Sequence, residues 1–504
     1  MCSVMRGIVP GLIALDHMAD GRYVLAIDLG TGGARGLLVQ QHTGDVVATA
    51  DATYSLDCPQ PGWSQQDPRQ WWQACVQVIK EILQTQHAAA EDIACIGLTG
   101  QMHGLVLLDA NNALLRPAML WNDQRTQTEC EAIHELLGEQ RLIELTGKPS
   151  LTSFTAPKLL WVRTHEPEIY ARIRHVLLPK DAMRLHLTGR HAIDVTDASG
   201  TSWLDIHTRQ WSTDILTALE LNPEWLPEVL ESSEHAGCIS SQAAAETGLL
   251  EGTPVVAGAG DQAAAGIGCG INDPSTISVN LGTSGVVFAA CDGAPIDPSG
   301  AMHTFCHAVT GTCHLMGCML SAGASLRWYR DTFCNGMHYD ALIEEAALVP
   351  AGSEGLRFMP YLAGERTPHN DPNLTASFMG ITGRHTRAHF SRAVLEGILY
   401  GLADGIDLVS GSGAQIDRIR MSGGGARSGV WRAMAADVFG VPVATVKNIN
   451  GSAYGAALLA MVGSGRFKSV GDAMREHVHE VEVAHPTSDA LQYQGLHAAW
   501  KHGG

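Results

Sequence analysis

Ala26-Ile27-Asp28-Leu29-Gly30-Thr31-Gly32-Gly33 runs into an apolar strand, Ala34-Arg35-Gly36-Leu37-Leu38-Val39. The arrangement returns as Ser278-Val279-Asn280-Leu281-Gly282-Thr283-Ser284-Gly285 before Val286-Val287-Phe288-Ala289-Ala290. Each copy reads as a buried strand, a tight glycine turn and a second strand. Successive backbone N–H groups in such a turn form a nest for an anion. Neither copy is a Walker A loop, because G-x-x-x-x-G-K-[ST] is lacking. One copy alone is accounted for equally well by a hairpin turn that binds nothing. Two copies imply a duplicated architecture of two similar domains facing each other, with both Gly-Thr turns converging on one polyphosphate.

The chain has 504 residues, more than one core usually supports, so two large domains are expected. Its 45% hydrophobic and 17% charged residues suit a soluble globular protein. A formal charge of -19 argues against nucleic acid or an anionic membrane as partner, since either wants a basic footprint. A phosphorylated ligand stays open, because backbone N–H groups can hold it. The apolar runs fall short of a membrane span, and the twelve cysteines contain no C-x-x-C pair, as expected of free thiols in a reducing cytoplasm. Residues 1–21, interrupted by Pro10-Gly11 and without a cleavage pattern, read as an extension with little structure, and Met18 as an alternative start.

The candidate for catalysis lies in Val255-Val256-Ala257-Gly258-Ala259-Gly260-Asp261-Gln262. A valine-rich strand followed by small residues leaves Asp261 at the strand's carboxyl end, where ligands of open α/β sheets collect. A carboxylate there suits a general base; a reading of equal weight is a cap for the helix begun by Gln262-Ala263-Ala264-Ala265. Another strand, Ile93-Ala94-Cys95-Ile96-Gly97-Leu98-Thr99-Gly100, ends in Gln101-Met102-His103-Gly104. That amide and imidazole suit a polyol, the plain alternative being a structural histidine. Trp121-Asn122-Asp123-Gln124-Arg125 is a similar polar cluster. In Ile419-Arg420-Met421-Ser422-Gly423-Gly424-Gly425 the glycines are hardly helical and leave a flat surface for an adenosine or phosphate. Ser321-Ala322-Gly323-Ala324-Ser325 supplies small residues where a helix can approach a nucleotide.

Other segments read as framework. Asp67-Pro68 begins a helix with Trp72, Val76, Ile79 and Leu83 on its core face, Lys180-Asp181 caps another, and Gly451-Ser452-Ala453-Tyr454-Gly455-Ala456 opens a close-packed structural helix. His303 and His307 have the spacing of a zinc pair on a helix, yet Thr304 stands where H-E-x-x-H needs Glu, and no third ligand is evident. Beyond residue 487 a peripheral tail helix is expected.

Asp28-Leu29-Gly30-Thr31, the second Gly-Thr turn, the triple glycine and Asp261 together resemble the FGGY carbohydrate kinases, members of the actin and hexokinase superfamily. The resemblance runs from residue 22 to about 487. Ser153 to His165 and Ala376 to Glu396 match the family's signatures, and Trp63 to Pro68, Gly100 to Gly104, Leu120 to Asp123 and Gly364 to Asn370 look like its ketopentose kinases. The resemblance implies an α/β fold of two similar actin/hexokinase-like (ribonuclease H-like) domains facing a central cleft. Residues 22–270 would be the sugar-side domain with the first phosphate turn, 271–487 the nucleotide-side domain and 488–504 a tail. It also implies ATP and Mg2+, with Asp261 as catalytic base and Asp28 as the carboxylate that works with the metal. Gln101, Met102, His103 and Gln262 would meet the sugar, and Thr31, Gly32, Thr283, Gly323, Gly424 and Gly425 would line the nucleotide. One departure is Gln262, where the ketopentose kinases commonly have Asn.

The implied reaction is ATP-dependent phosphorylation of D-xylulose to D-xylulose 5-phosphate in xylose catabolism, in the cytoplasm, with a homodimer as the expected assembly and no nucleic acid or membrane partner. The rivals are a sister kinase for L-ribulose, glycerol or gluconate, an actin-like ATPase, and a silent sugar-binding regulator. The two signatures weigh against the ATPase, and the retained Asp28 and Asp261 against the regulator.

Overall fold

The computed structural model describes residues 21–85, 88–448 and 450–502, so all of the expected N-terminal extension but Gly21, Met18 included, lies outside the described residues. Strands β1 (Tyr23–Leu29), β2 (Gly33–Gln40) and β3 (Val46–Thr53) form an antiparallel meander. Helix α1 (Pro68–Gln84) covers it, and β4 (Ile93–Gly100) runs parallel to β1 on the other side. After helices α2 (Pro179–Thr188) and α3 (Val195–Ser199) come β5 (His235–Cys238), β6 (Pro254–Val256) and the two-residue β7 (Ala259–Gly260), which pairs with the end of β4. The sheet order is β5-β6-β4-β1-β2-β3. Every residue of β4 is buried, as a strand flanked by parallel partners and covered on both faces requires.

Helix α4 (Asp261–Gly268) leads to the second sheet, built from β8 (Thr276–Leu281), β9 (Gly285–Cys291), β10 (His303–Cys306) and β11 (Cys313–Met319). Helices α5 (Gly323–Phe333) and α6 (Arg387–Gly411) follow, then β12 (Arg418–Ser422), α7 (Gly429–Phe439), β13 (Val443–Val446), α8 (Gly451–Gly463), β14 (Glu480–Ala484) and α9 (Ala490–Lys501). Its order is β10-β11-β9-β8-β12-β13-β14. The inner pattern β11-β9-β8-β12-β13 repeats β3-β2-β1-β4-β6: an antiparallel meander on one side of the first strand and parallel neighbours on the other. The duplicated turn thus carries a duplicated sheet, and Asn280 holds in β8 the register position of Asp28 in β1, facing Ser422 as Asp28 faces Thr99.

Helix α8 packs not on its own sheet but on β1, β4 and α4 of the first. Small residues make this possible: a Cβ on Gly455 would lie 1.9 Å from the Ala264 carbonyl oxygen. Two helices locked backbone to backbone therefore tie the halves together.

Three framework expectations need correction. The buried face of α1 is Trp71, Ala74, Cys75, Val78, Ile79 and Ile82, so the expected stripe is off by one position at three of its four residues. Trp72 is only half-buried, with its indole N–H donating to Glu246 Oε2 at 2.7 Å. The doubled tryptophan blurs the helical phase, since one residue turns the face by about 100°. Lys180 and Asp181 do not cap α2: its cap position is Leu178, and both side chains are fully buried. The chain beyond 487 does form a helix, but not a peripheral one, because Tyr493 and Trp500 of α9 are each 1% exposed in the C-terminal core.

Trp500→Ala should accordingly cost about 3–5 kcal/mol in equilibrium urea unfolding, the range for a buried aromatic. Leu491→Ala on the exposed side of the same helix should stay within about 0.5 kcal/mol. Equal effects would mean that α9 is an appendage.

Candidate active site

Gly260 of β7 pairs with Gly100 of β4, which in turn pairs with Leu29 of β1, so Asp28 and Asp261 emerge at the same edge of the first sheet. The capping alternative for Asp261 falls away. Asp261 is the first residue inside α4, the cap position is Gly260, and no side chain caps that helix. Gln262 Nε2 donates to Asp261 Oδ1 at 3.4 Å. Burial of the carboxyl, reinforced by the negative charge of Asp28, pushes the pKa of Asp261 up to about 7.

Asp28 is raised above the usual carboxylate range by burial, against the pull of Ser452 and the Arg35 charge. Ser452 Oγ donates to Asp28 Oδ2 at 2.5 Å, while Asp28 Oδ1 is buried without a hydrogen-bond partner among the described residues. Ser452 lies on α8, which the sequence presents only as a close-packed helix. Its reach to Asp28 follows from the crossing of α8 onto the first sheet, a long-range packing with no local signal.

The sugar-side residues lie one strand end away. Gln101 Nε2 donates to Gln66 Oε1 at 3.0 Å, and Gln101 Oε1 accepts from Thr31 Oγ1 at 3.1 Å. Thr31 Oγ1 also accepts from Trp121 Nε1 at 2.9 Å. Met102 packs beside Gly260, where an added Cβ would sit 2.7 Å from Met102 Cγ, and so stands next to Asp261. His103 has a left-handed backbone, φ 67°, held by Lys158 Nζ and Thr155 Oγ1, which donate to its carbonyl at 3.1 and 3.2 Å. Its Nδ1 lies 3.0 Å from the Gly200 carbonyl, which can only accept, leaving the Nε2 lone pair for a hydroxyl. Burial first, then the Lys158 charge, holds the imidazole well below its ordinary pKa and neutral. Thr155 and Lys158 belong to the Ser153–His165 stretch, which the residues alone leave without a chemical reading.

On the second sheet, Thr283, Gly323, Gly424 and Gly425 line one cavity of 830 Å3 together with Trp431 and Arg327. Arg327 Nη2 donates to Thr283 Oγ1 at 3.0 Å, and the Gly323 N–H donates to the Gly282 carbonyl at 2.9 Å, closing α5 onto the second turn. Of the three glycines only Gly423, φ 86°, needs the left-handed region; Gly425 opens a single 3-10 turn, a partial correction to the non-helical expectation. Gly32 does not share that cavity. It lines a separate hollow of 300 Å3 with Asp28, Gly30 and Arg35, so the six nucleotide candidates divide between the two sheets. The zinc reading of His303 and His307 fails: His303 opens strand β10 and His307 follows its end, and the His307 ring is tied to the Ile271 carbonyl at 2.9 Å.

The models of the N- and C-terminal domains of the FGGY family of carbohydrate kinases match residues 23–268 and 277–464. Xylulose kinase of Escherichia coli (strain K12) is 43% identical over 449 residues, 88% of this chain and 91% of that protein. Among solved structures, xylulose kinase from Rhodospirillum rubrum superposes with a TM-score of 0.90 at 30% identity, covering 95% of this chain and 98% of that one. Gluconate kinase from Lactobacillus acidophilus gives the same TM-score at 28% identity, covering 95% and 97%.

The raised pKa of Asp261 carries a stability consequence. Its folded-state value lies above 3.8, so through the window from 3.8 to about 7 the unfolded chain binds fewer protons, and stability falls as pH rises. Asp261→Asn removes that charge. Its melting temperature should exceed that of the unsubstituted protein by a margin that widens across this window and levels off above it; a constant margin would contradict a buried, uncompensated carboxylate.

Proposed function

The chain belongs to the FGGY family of carbohydrate kinases, and from that membership we propose that it transfers the γ-phosphoryl group of ATP to D-xylulose, giving D-xylulose 5-phosphate. The observation that carries the mechanism is Asp261, a carboxylate at a strand end, poised near neutrality, beside the sugar-side turn. The terminal hydroxyl of the sugar attacks the γ-phosphorus, the bond to the bridging oxygen of ADP breaks, and Asp261 Oδ takes the hydroxyl proton. Neutral His103 accepts from a sugar hydroxyl and Gln101 orients the turn, while Met102 supplies an apolar wall. The cavity at Thr283, Gly323, Gly424 and Gly425 suits the nucleoside and the second phosphate nest, opposite the nest at Thr31 and Gly32.

Magnesium fits the residues present. Asp28 Oδ1 is a buried, unpartnered hard oxygen, and the cluster offers carboxylate donors of the kind the ion takes. When bound there, the ion supplies neutralisation of phosphate charge. Ser452 holds Asp28 in place for that role. Closure of the two halves about the α4–α8 pair would exclude water from the transfer. Free thiols at all cysteines among the described residues fit the reducing cytoplasm, where ATP is available, and we propose a homodimer as the assembly, to be checked by light scattering.

The choice of D-xylulose rests on sequence identity rather than on shape, since a xylulose kinase and a gluconate kinase superpose equally well. It is tested by ADP release with ATP and magnesium against D-xylulose, L-ribulose, D-ribulose, glycerol, D-gluconate and no sugar. Stimulation by D-xylulose above all others is expected. Preference for another sugar moves the substrate and directs attention to Gln262, and sugar-independent release favours an ATPase.

Asp261→Asn should abolish sugar phosphorylation and leave nucleotide affinity nearly unchanged, because a proton acceptor is lost without removing a phosphate contact. Near-normal turnover would sink the assignment. Asp28→Asn should lower the rate and weaken its dependence on magnesium together.

A further inference from the structure

Between β6 and β7 the chain leaves the sheet ladder at Ala257-Gly258, so its backbone groups need partners elsewhere. They find them in a buried ionic cluster. The Ala257 carbonyl accepts from Arg184 Nη1 at 2.8 Å and Lys180 Nζ at 3.2 Å, and the Gly258 N–H donates to the Ser232 carbonyl at 2.9 Å. Gly258 has φ 82°, and a Cβ there would meet the Leu98 carbonyl oxygen at 2.1 Å, so the break allows no other course. The Gly260 N–H, the last before Asp261, donates to the hydroxyl of Thr196 at 2.8 Å.

That hydroxyl is itself fixed. Thr196 Oγ1 donates to Asp194 Oδ2 at 2.6 Å, and the same oxygen accepts from the Thr196 N–H at 2.8 Å and from Ser232 Oγ at 3.1 Å. Asp194 Oδ1 is ion-paired with Lys180 Nζ at 3.1 Å, and Lys180 also meets Asp181 at 2.5 Å and Asp197 at 3.3 Å. Lys180, Asp181, Arg184, Asp194, Thr196 and Asp197 are all at most 1% exposed. The three carboxylates cluster closely enough to hold a metal, but Lys180 already stands among them. Asp181 Oδ2, Arg184 Nε, Asp194 Oδ1 and both Asp197 oxygens lack a hydrogen-bond partner among the described residues, so the geometry is held by the ion pairs about Lys180 and by the bonds to Asp194 Oδ2. The cluster's contacts reach Ala257 and Gly260, two of the four residues that precede Asp261.

We propose that Thr196 is a positioning residue for the reaction: its hydroxyl, oriented by Asp194 and through it by Lys180, fixes the Gly260 N–H and so the place from which Asp261 takes the sugar proton. The proposal rests on the reading of Asp261 as base. Thr196 touches neither substrate nor nucleotide in this role. Its effect passes through one backbone hydrogen bond, and a small misplacement of a base is enough to be felt in turnover.

Thr196→Val keeps the shape and removes the hydroxyl; Thr196→Ser keeps the hydroxyl and removes the methyl. The expected result for Thr196→Val with D-xylulose, ATP and magnesium is a fall in kcat of about 10-fold to 100-fold, with the KM for ATP within about twofold. The KM for D-xylulose should also stay within about threefold, so that the loss falls on turnover rather than on binding. Thr196→Ser should restore most of kcat. A Thr196→Val enzyme with unchanged kcat overturns the proposal. So does a loss shared equally by Thr196→Ser, which would make the role one of packing. Asp261→Asn in parallel separates the two readings: near-normal turnover there removes the base itself, whereas an inactive Asp261→Asn beside a fully active Thr196→Val removes only Thr196.

Discussion

Two carboxylates, Asp28 and Asp261, are held at one edge of the first sheet within electrostatic reach of each other, and among the described residues neither forms a salt bridge. Like charges in a partly dry site cannot both ionise freely. The fold therefore keeps one of them ready to hold a proton near neutrality, and the other leaning on a single hydroxyl from Ser452. A general base is most useful in that state, and positive charge brought beside Asp28 would draw the proton affinity of Asp261 down again. The rest of the molecule serves to keep these two groups in place. The glycine turn, the helix that crosses between halves and the buried ions behind the strand break each secure one side of the pair.

This arrangement explains why α8 crosses to the first sheet. Had α8 stayed on its own sheet, Ser452 could not reach Asp28. Its close seat against α4, with Gly455 facing the Ala264 carbonyl, leaves no room for a side chain between the two helices. Asp261 begins the first helix and Ser452 lies in the first turn of the second.

The repeated Gly-Thr turn made the duplication legible, because a strand-turn-strand element carries its whole signature within a dozen residues. Asp261 was legible for a similar reason: a valine run followed by small residues states a strand end locally. What stayed hidden depends on distant partners. Ser452 looks like any small helix residue until α8 is seen to cross, and Lys180-Asp181 look like a solvated helix start until Asp194 and Asp197 arrive to bury them. The Trp71-Trp72 pair shows the limit within one element, since periodicity alone cannot choose between two adjacent aromatic residues. Thr31 shows it in chemistry: the resemblance places it with the nucleotide, while its hydroxyl joins Gln101 and Trp121 on the sugar side. That network makes the first Gly-Thr turn and the turn at Gln101 one structure.

Substrate choice must come from side chains, because the two solved kinases with different named sugars share this fold to the same degree. Gln262 stands where the resemblance leads one to expect Asn, and its longer amide reaches the neighbouring carboxylate. Its extra methylene lets Nε2 fold back onto Asp261 Oδ1 at 3.4 Å, a long and weak bond. A bond of that length is readily exchanged for a sugar hydroxyl, which is the proton donor the base needs. Until then the amide stabilises the ionised carboxylate against burial and against Asp28. In the proposed reaction the amide thus gives Asp261 a donor before the sugar arrives and yields its place to the sugar hydroxyl.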